Sequence, residues 1–181
     1  MMAPLYRRVL GDRFEQLPAR VRELHDLSGA SVWAGRADVE RGRSWVARIA
    51  AALTSLPPEG RDQPLQVTFE ARGSEEIWRR RFGTSVFPSV QFERRGYLCE
   101  RVGPVTFAFV LAASDEGLAL ELQGLRLLGV ALPRVVHPTI ATFESEREGR
   151  YRFEVEARLP LFGLLVRYAG WLERAEDGAS A

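Results

Sequence analysis

From residue 64 almost to its end the chain alternates between apolar and polar side chains. Leu65, Val67, Phe69 and Ala71 fall on one side, and Gln66, Thr68, Glu70 and Arg72 on the other. A period of two belongs to an extended strand with one covered face and one wet face. Further strands are predicted at about 75–82, 84–94, 97–102, 105–113, 117–127, 139–148, 150–159 and 161–173. Turn signals separate many of them: Arg72-Gly73-Ser74, Arg95-Gly96, Gly103-Pro104, Asp115-Glu116-Gly117 and Glu148-Gly149. The cleanest strand follows Gly149, with Tyr151, Phe153, Val155, Ala157 and Leu159 inward and Arg150, Arg152, Glu154, Glu156 and Arg158 outward. About ten strands joined by tight turns form an antiparallel meander, and an open twisted sheet of that size tends to curl or close.

Before residue 64 the period changes. Leu5 and Val9, and after a break at Gly11 also Leu17, Val21 and Leu24, mark helical stripes, with Pro18 near the start of the second. That helical region is expected to stop near Ser28-Gly29. Ser31–Glu40 reads as a half-buried strand, with Trp33, Ala37 and Val39 inward. Ser44 can cap a third helix in which Trp45, Ile49 and Leu53 form one apolar stripe, before Pro57, Pro58 and Gly60 break the chain. Leu128–Pro138 is the expected long loop. The expectation is one α+β domain over 1–181, with a helical part at about 4–56 and an antiparallel sheet at about 64–174. Its architecture would be a large curved sheet or open barrel of about 8–10 strands, packed against two or three N-terminal helices lying in its concave side or across its mouth.

Composition narrows the partners. With 25 basic and 24 acidic side chains, the net charge of +1 lacks the clustered positive excess that nucleic acid binding requires. The single cysteine, Cys99, allows no intrachain disulfide and suits a reducing, cytoplasmic setting. Arg7, Arg8, Asp12 and Arg13 interrupt the place where a secretion signal needs an apolar core. The apolar stretch Leu161–Leu172 contains Arg167 and is too short to span a bilayer.

Chemistry-bearing motifs are mostly absent. Gly124 to Gly129 lacks the Lys-Ser/Thr of a phosphate-binding loop, and no Gly-x-Ser-x-Gly elbow occurs. Two distant histidines, His25 and His137, and one thiol make a poor metal set. No cofactor, metal ligand or catalytic residue is therefore assigned. What stands out is charge on oily strand faces. Arg80 shares a face with Trp78 and Phe82, Glu100 with Leu98 and Val102, and Arg167 with Leu165 and Trp171. A charge in an apolar layer must be paired or must line a wet cavity. Arg80 and Glu100 lie on strands that are near neighbours in a meander. They read as a structural ion pair, as polar anchors in an apolar pocket, or as a site with a perturbed carboxylate. His25 ends a helical stripe, where it faces the helix dipole or serves as a base. Glu144 fits either face of its strand, and Cys99 reads as a packed or surface thiol. Trp33, Trp45, Trp78 and Trp171 read as core aromatics. The candidate ligand-binding set is Trp78, Arg80, Glu100, Arg167 and His25.

Several stretches together resemble the bacterial domain-of-unknown-function family 4166: Leu17 to His25, Gly35 to Gly42, Trp78 to Phe82, Glu100 to Pro104, Leu128 to Pro133, Leu159 to Gly163 and Arg167 to Trp171. The resemblance runs from about residue 14 to 173. It implies a domain found alone or behind a saccharopine-dehydrogenase-like or short-chain reductase half, which this chain lacks, so it brings neither an activity nor catalytic residues. It does mark His25, Trp78, Arg80, Phe82 and Glu100 as positions of the family's pattern. Three functions remain in view. One is a non-catalytic module binding an apolar or amphipathic small molecule. Another is an accessory module for a reductase-like partner. The last is an enzyme using His25, Glu100 or Glu144.

Overall fold

In the computed structural model, which describes residues 2–54 and 56–175, the alternating segments close on themselves. The chain runs through α1 (Leu5–Leu10), a 3-10 turn (Gly11–Gln16), α2 (Ala19–His25), β1 (Ala30–Arg41) and α3 (Trp45–Thr54). The meander follows as β2 (Gly60–Arg72), β3 (Glu75–Phe82), β4 (Ser85–Arg94), β5 (Tyr97–Val102), β6 (Val105–Ala113) and β7 (Leu118–Leu127). It ends with the short β8 (Val130–Ala131), then β9 (Thr139–Arg147), β10 (Arg150–Leu159) and β11 (Gly163–Arg174).

Spatial order is β6-β5-β4-β3-β2-β1-β11-β10-β9-β7, and β6 pairs again with β7, so ten strands form a closed antiparallel barrel with β8 appended to β7. The first and last strands meet along Trp33↔Arg174 to Arg41↔Val166. Closure leaves none of those ten strands with a free edge, which answers the size problem posed by the sequence.

Strands alternate in direction, so the turns fall into two sets. Those after β2, β4, β6 and β9 lie at one end, and those after β3, β5, β7 and β10 at the other. The N-terminal helices close the first end. Arg8 Nη2 donates to Ser74 O at 2.8 Å, and Arg20 Nε donates to Gly149 O at 2.8 Å. Leu5, Tyr6, Phe14, Val21 and Leu24 enter the same core as Trp33, Phe69, Leu98 and Leu118. This helical plug is dense because its apolar stripe has the whole barrel interior to pack against.

α3 joins β1 to β2 at the opposite end, the mouth. Its start is fixed as expected, with Ala47 N donating to Ser44 Oγ at 3.1 Å. Its orientation differs from expectation. Ala47 and Ala51 are the buried residues, whereas Trp45, Ile49 and Leu53 are 68%, 52% and 50% exposed. The helix lies so close to β11 that only small side chains fit beneath it: a Cβ on Gly42 would sit 3.1 Å from Ala47 Cβ and collide with Leu164 O. Trp45 instead meets Phe162 edge-on at 6.1 Å.

β11 also corrects the sequence reading. Its inward pleat is Val166, Tyr168, Gly170 and Leu172, not Arg167 and Trp171; Leu165, at the irregularity where β11 shifts register against β10, still borders the cavity. Gly170 conceals the alternation because it adds no side chain to the inward row. Trp171 lies on the outer face, with the Arg150 guanidinium 4.5 Å from its ring centre. Of the four tryptophans, Trp33 and Trp78 are core residues and Trp45 and Trp171 are not. No helix among the described residues is long and apolar enough to cross a membrane.

Candidate functional site

Between the helical plug and α3 the barrel is not filled. A cavity of about 470 Å3 remains. Alternation puts one apolar side chain per two residues on its wall, including Leu65 and Val67 from β2, Phe107 and Phe109 from β6, and Val155 from β10. Val46, Ala50, Ile49 and Leu53 of α3 line it from the mouth side. Polar groups are few and gather on Tyr6, Arg80, Gln91, Glu100 and Glu144, with the rings of Tyr151 and Tyr168 beside them.

Arg80 organises this polar region. β3 pairs with β4 and β4 with β5, which brings Arg80, Ser89 and Glu100 onto adjacent inward rows. Arg80 Nη1 donates to Ser89 Oγ at 2.8 Å, and Nη2 donates to Glu100 Oε1 at 3.1 Å. The guanidinium lies 4.7 Å from the Trp78 ring centre and 5.3 Å from that of Phe87. Burial is the largest single influence and works against its charge, but the Glu100 carboxylate together with the Tyr168 and Tyr6 hydroxyls holds the Arg80 pKa above its ordinary value. Burial pushes the neighbouring Tyr168 hydroxyl up to about 12, so it stays a neutral donor.

A second polar cluster lies toward the plug. His25 Nε2 and Glu144 Oε2 are 2.5 Å apart, with side chains 0% and 7% exposed. Tyr6 stacks on the His25 ring at 3.7 Å and donates its hydroxyl to Gln91 Oε1 at 2.9 Å. Burial, reinforced by Glu144, raises the pKa of Tyr6 well above its ordinary value. Glu76 accepts from Leu5 N at 3.3 Å and from Trp78 Nε1 at 3.2 Å. Burial raises its pKa too, because those two bonds and nearby positive charge do not fully replace water.

Of the sequence-derived set, Trp78, Arg80 and Glu100 all face the cavity, as their shared pleats required. His25 sits one layer behind, covered by Tyr6, and reaches the cavity only through Glu144. Arg167 is excluded. Its side chain is 59% exposed and pairs with Glu156 at 2.8 Å on the outer surface, because the pleat of β11 is inverted relative to expectation. Cys99 is buried and unpaired, and burial raises its thiol pKa.

Sequence reasoning overlooked Tyr6, Glu76, Ser89 and Gln91. Glu76 has the same parity as Trp78 and Arg80, and Ser89 and Gln91 have that of Phe87, so the pleat that selected Arg80 also pointed to them. Tyr6 adjoins Leu5 on the helix face turned inward. Among the described residues no group of three or more His, Cys, Asp or Glu gathers to hold a metal ion.

No curated protein matches the chain. A family model described as Domain of unknown function (DUF4166) matches residues 17–172, a span that includes α2, α3, every strand up to the last two residues of β11, and both polar clusters except Tyr6. The chain belongs to the DUF4166 family.

Proposed function

We propose that this barrel binds one apolar or amphipathic small molecule without transforming it. The observation that carries the reading is the cavity itself. Its volume of about 470 Å3 falls within the range of small-molecule pockets, and apolar walls surround one prearranged polar region. The ligand's polar end is uncharged. Arg80 is already matched by Glu100, so a carboxylate or ammonium group would leave one of the three charges without a counterion in an apolar chamber. A hydroxyl or carbonyl meets no such cost and can accept from the Gln91 amide or the Tyr168 hydroxyl, and a hydroxyl can also donate to Glu100. The single, buried Cys99, which has no partner for an intrachain disulfide, suits a reducing compartment such as the cytoplasm.

Titration with the uncharged dye Nile red tests the proposal. One dye should bind per chain, and a long-chain alcohol should displace it. Val155→Trp places an indole in the cavity and should abolish binding while circular dichroism remains that of the wild type. Undiminished binding by Val155→Trp, or none by the folded wild type, overturns the reading.

The contact between His25 and Glu144 favours a second reading, in which the pair moves a proton to or from a bound molecule. A cavity ligand recovered altered from the wild type but unaltered from Glu144→Gln would establish it. Recovery unaltered from both would remove it.

A further inference from the structure

The mouth carries a feature that ligand binding alone does not require. Among the described residues, five non-glycine residues have positive φ, and four of them sit at turns. At the plug end these are Arg95 and Glu148, which water solvates. At the mouth they are Leu128 (φ 50°) and Leu161 (φ 63°), which are 79% and 100% exposed. A turn in this conformation favours glycine or asparagine, and a fully exposed leucine there gains nothing from folding. Both leucines point away from the protein at the same end as the exposed Trp45, Ile49 and Leu53 stripe and half-exposed Phe162. The segments 42–54, 128–138 and 159–166 that carry these residues contain exposed Arg43, Arg48 and Arg134, and no aspartate or glutamate.

We propose that the mouth docks onto the surface of an anionic lipid bilayer, with α3 lying in the interface and the tips at Leu128 and Leu161 dipping below the headgroups. Apolar projections on separate elements, interspersed with arginine, suit a fluid apolar layer under a negative surface. A folded partner would have to match several isolated tips in shape. Docking places the opening of the cavity against the bilayer, where a poorly water-soluble ligand can pass without crossing water. The inference rests on the rim and not on the cavity's contents.

Flotation with phosphatidylcholine vesicles, with and without about one-third phosphatidylglycerol, tests it. The chain should float with the anionic vesicles and much less with the neutral ones. The pair L128N/L161N, whose asparagines accept the left-handed turn, should lose about tenfold or more in partitioning. R43Q/R48Q/R134Q should lose the preference for anionic lipid, as should high salt. Failure of the wild type to float, or equal flotation of L128N/L161N, overturns the proposal. So does a dimer in gel filtration that L128N/L161N disperses, which would make the rim a contact between two copies. Nile red titration separates the two proposals: L128N/L161N that binds dye but no longer floats leaves both standing, whereas a wild type that floats but binds no dye removes only the pocket.

Discussion

The two ends of the barrel are made by the same meander and finished in opposite ways. At the plug end, the rings of Tyr6, His25 and Trp78 cluster together, Gln91 and Glu76 receive donors from the helical segment, and charged residues occupy the turn tips. At the mouth, one short helix rests on alanines, large apolar groups face outward and a cavity lies behind them. A barrel needs only one well-packed end to hold its shape. Stability can be concentrated there, which leaves the other end free to serve exchange.

That contrast can be broken most directly at the plug. Phe14→Ala removes a fully buried ring and should cost about 4 kcal/mol in chemical denaturation. A cost below about 1 kcal/mol would mean that the plug packs no better than the mouth. Next comes the polar region between the ends. Arg80→Met leaves Glu100 buried without its partner and should cost about 3 kcal/mol, most of which Arg80→Met with Glu100→Leu should recover. A double-mutant cycle measures the coupling, and its absence would make the pair no more than a rim contact.

A smaller effect separates the plug from the mouth by pH. Because the folded-state pKa of Glu76 is raised, the native state holds this proton more tightly than the unfolded chain. The resulting stability is full below the unfolded value near 4.5 and is lost as pH rises through the higher folded value. Wild type should therefore gain stability relative to Glu76→Gln as pH falls through that window, measured by urea unfolding at several pH values. Ile49→Ser at the mouth should shift stability least, by about 0.5 kcal/mol or less at any pH. A larger loss would show that the exposed stripe contributes to folding.

The alternation made nearly all of the barrel legible, since side-chain parity and turn residues fix most strands within a residue or two, although β2 begins at Gly60, four residues before the expected start. It located Trp78, Arg80 and Glu100 because each has bulky inward neighbours at i±2. It failed at β11, where Gly170 erases one inward position and Trp171 supplies a misleading outer one. It failed for α3 for a related reason. Hydrophobicity ranks tryptophan above alanine, but close backbone approach selects the smaller side chain, so Trp45 faced out and Ala47 in. The pairing of His25 with Glu144 joins residues 119 positions apart in sequence, and no local pattern encodes such a meeting.

The seam between β1 and β11 bears on how the chain reaches its native state. Synthesised from the N-terminus, the helical plug and the first strand emerge long before the strand that completes the cylinder. Their oily surfaces must wait for nearly the whole polypeptide. Contacts of such long sequence separation make for slow folding, measured in milliseconds to seconds rather than microseconds. During that interval the nascent chain presents strand edges and apolar helices together, so shielding by a ribosome-associated chaperone would matter more for this protein than for a helical bundle of equal size.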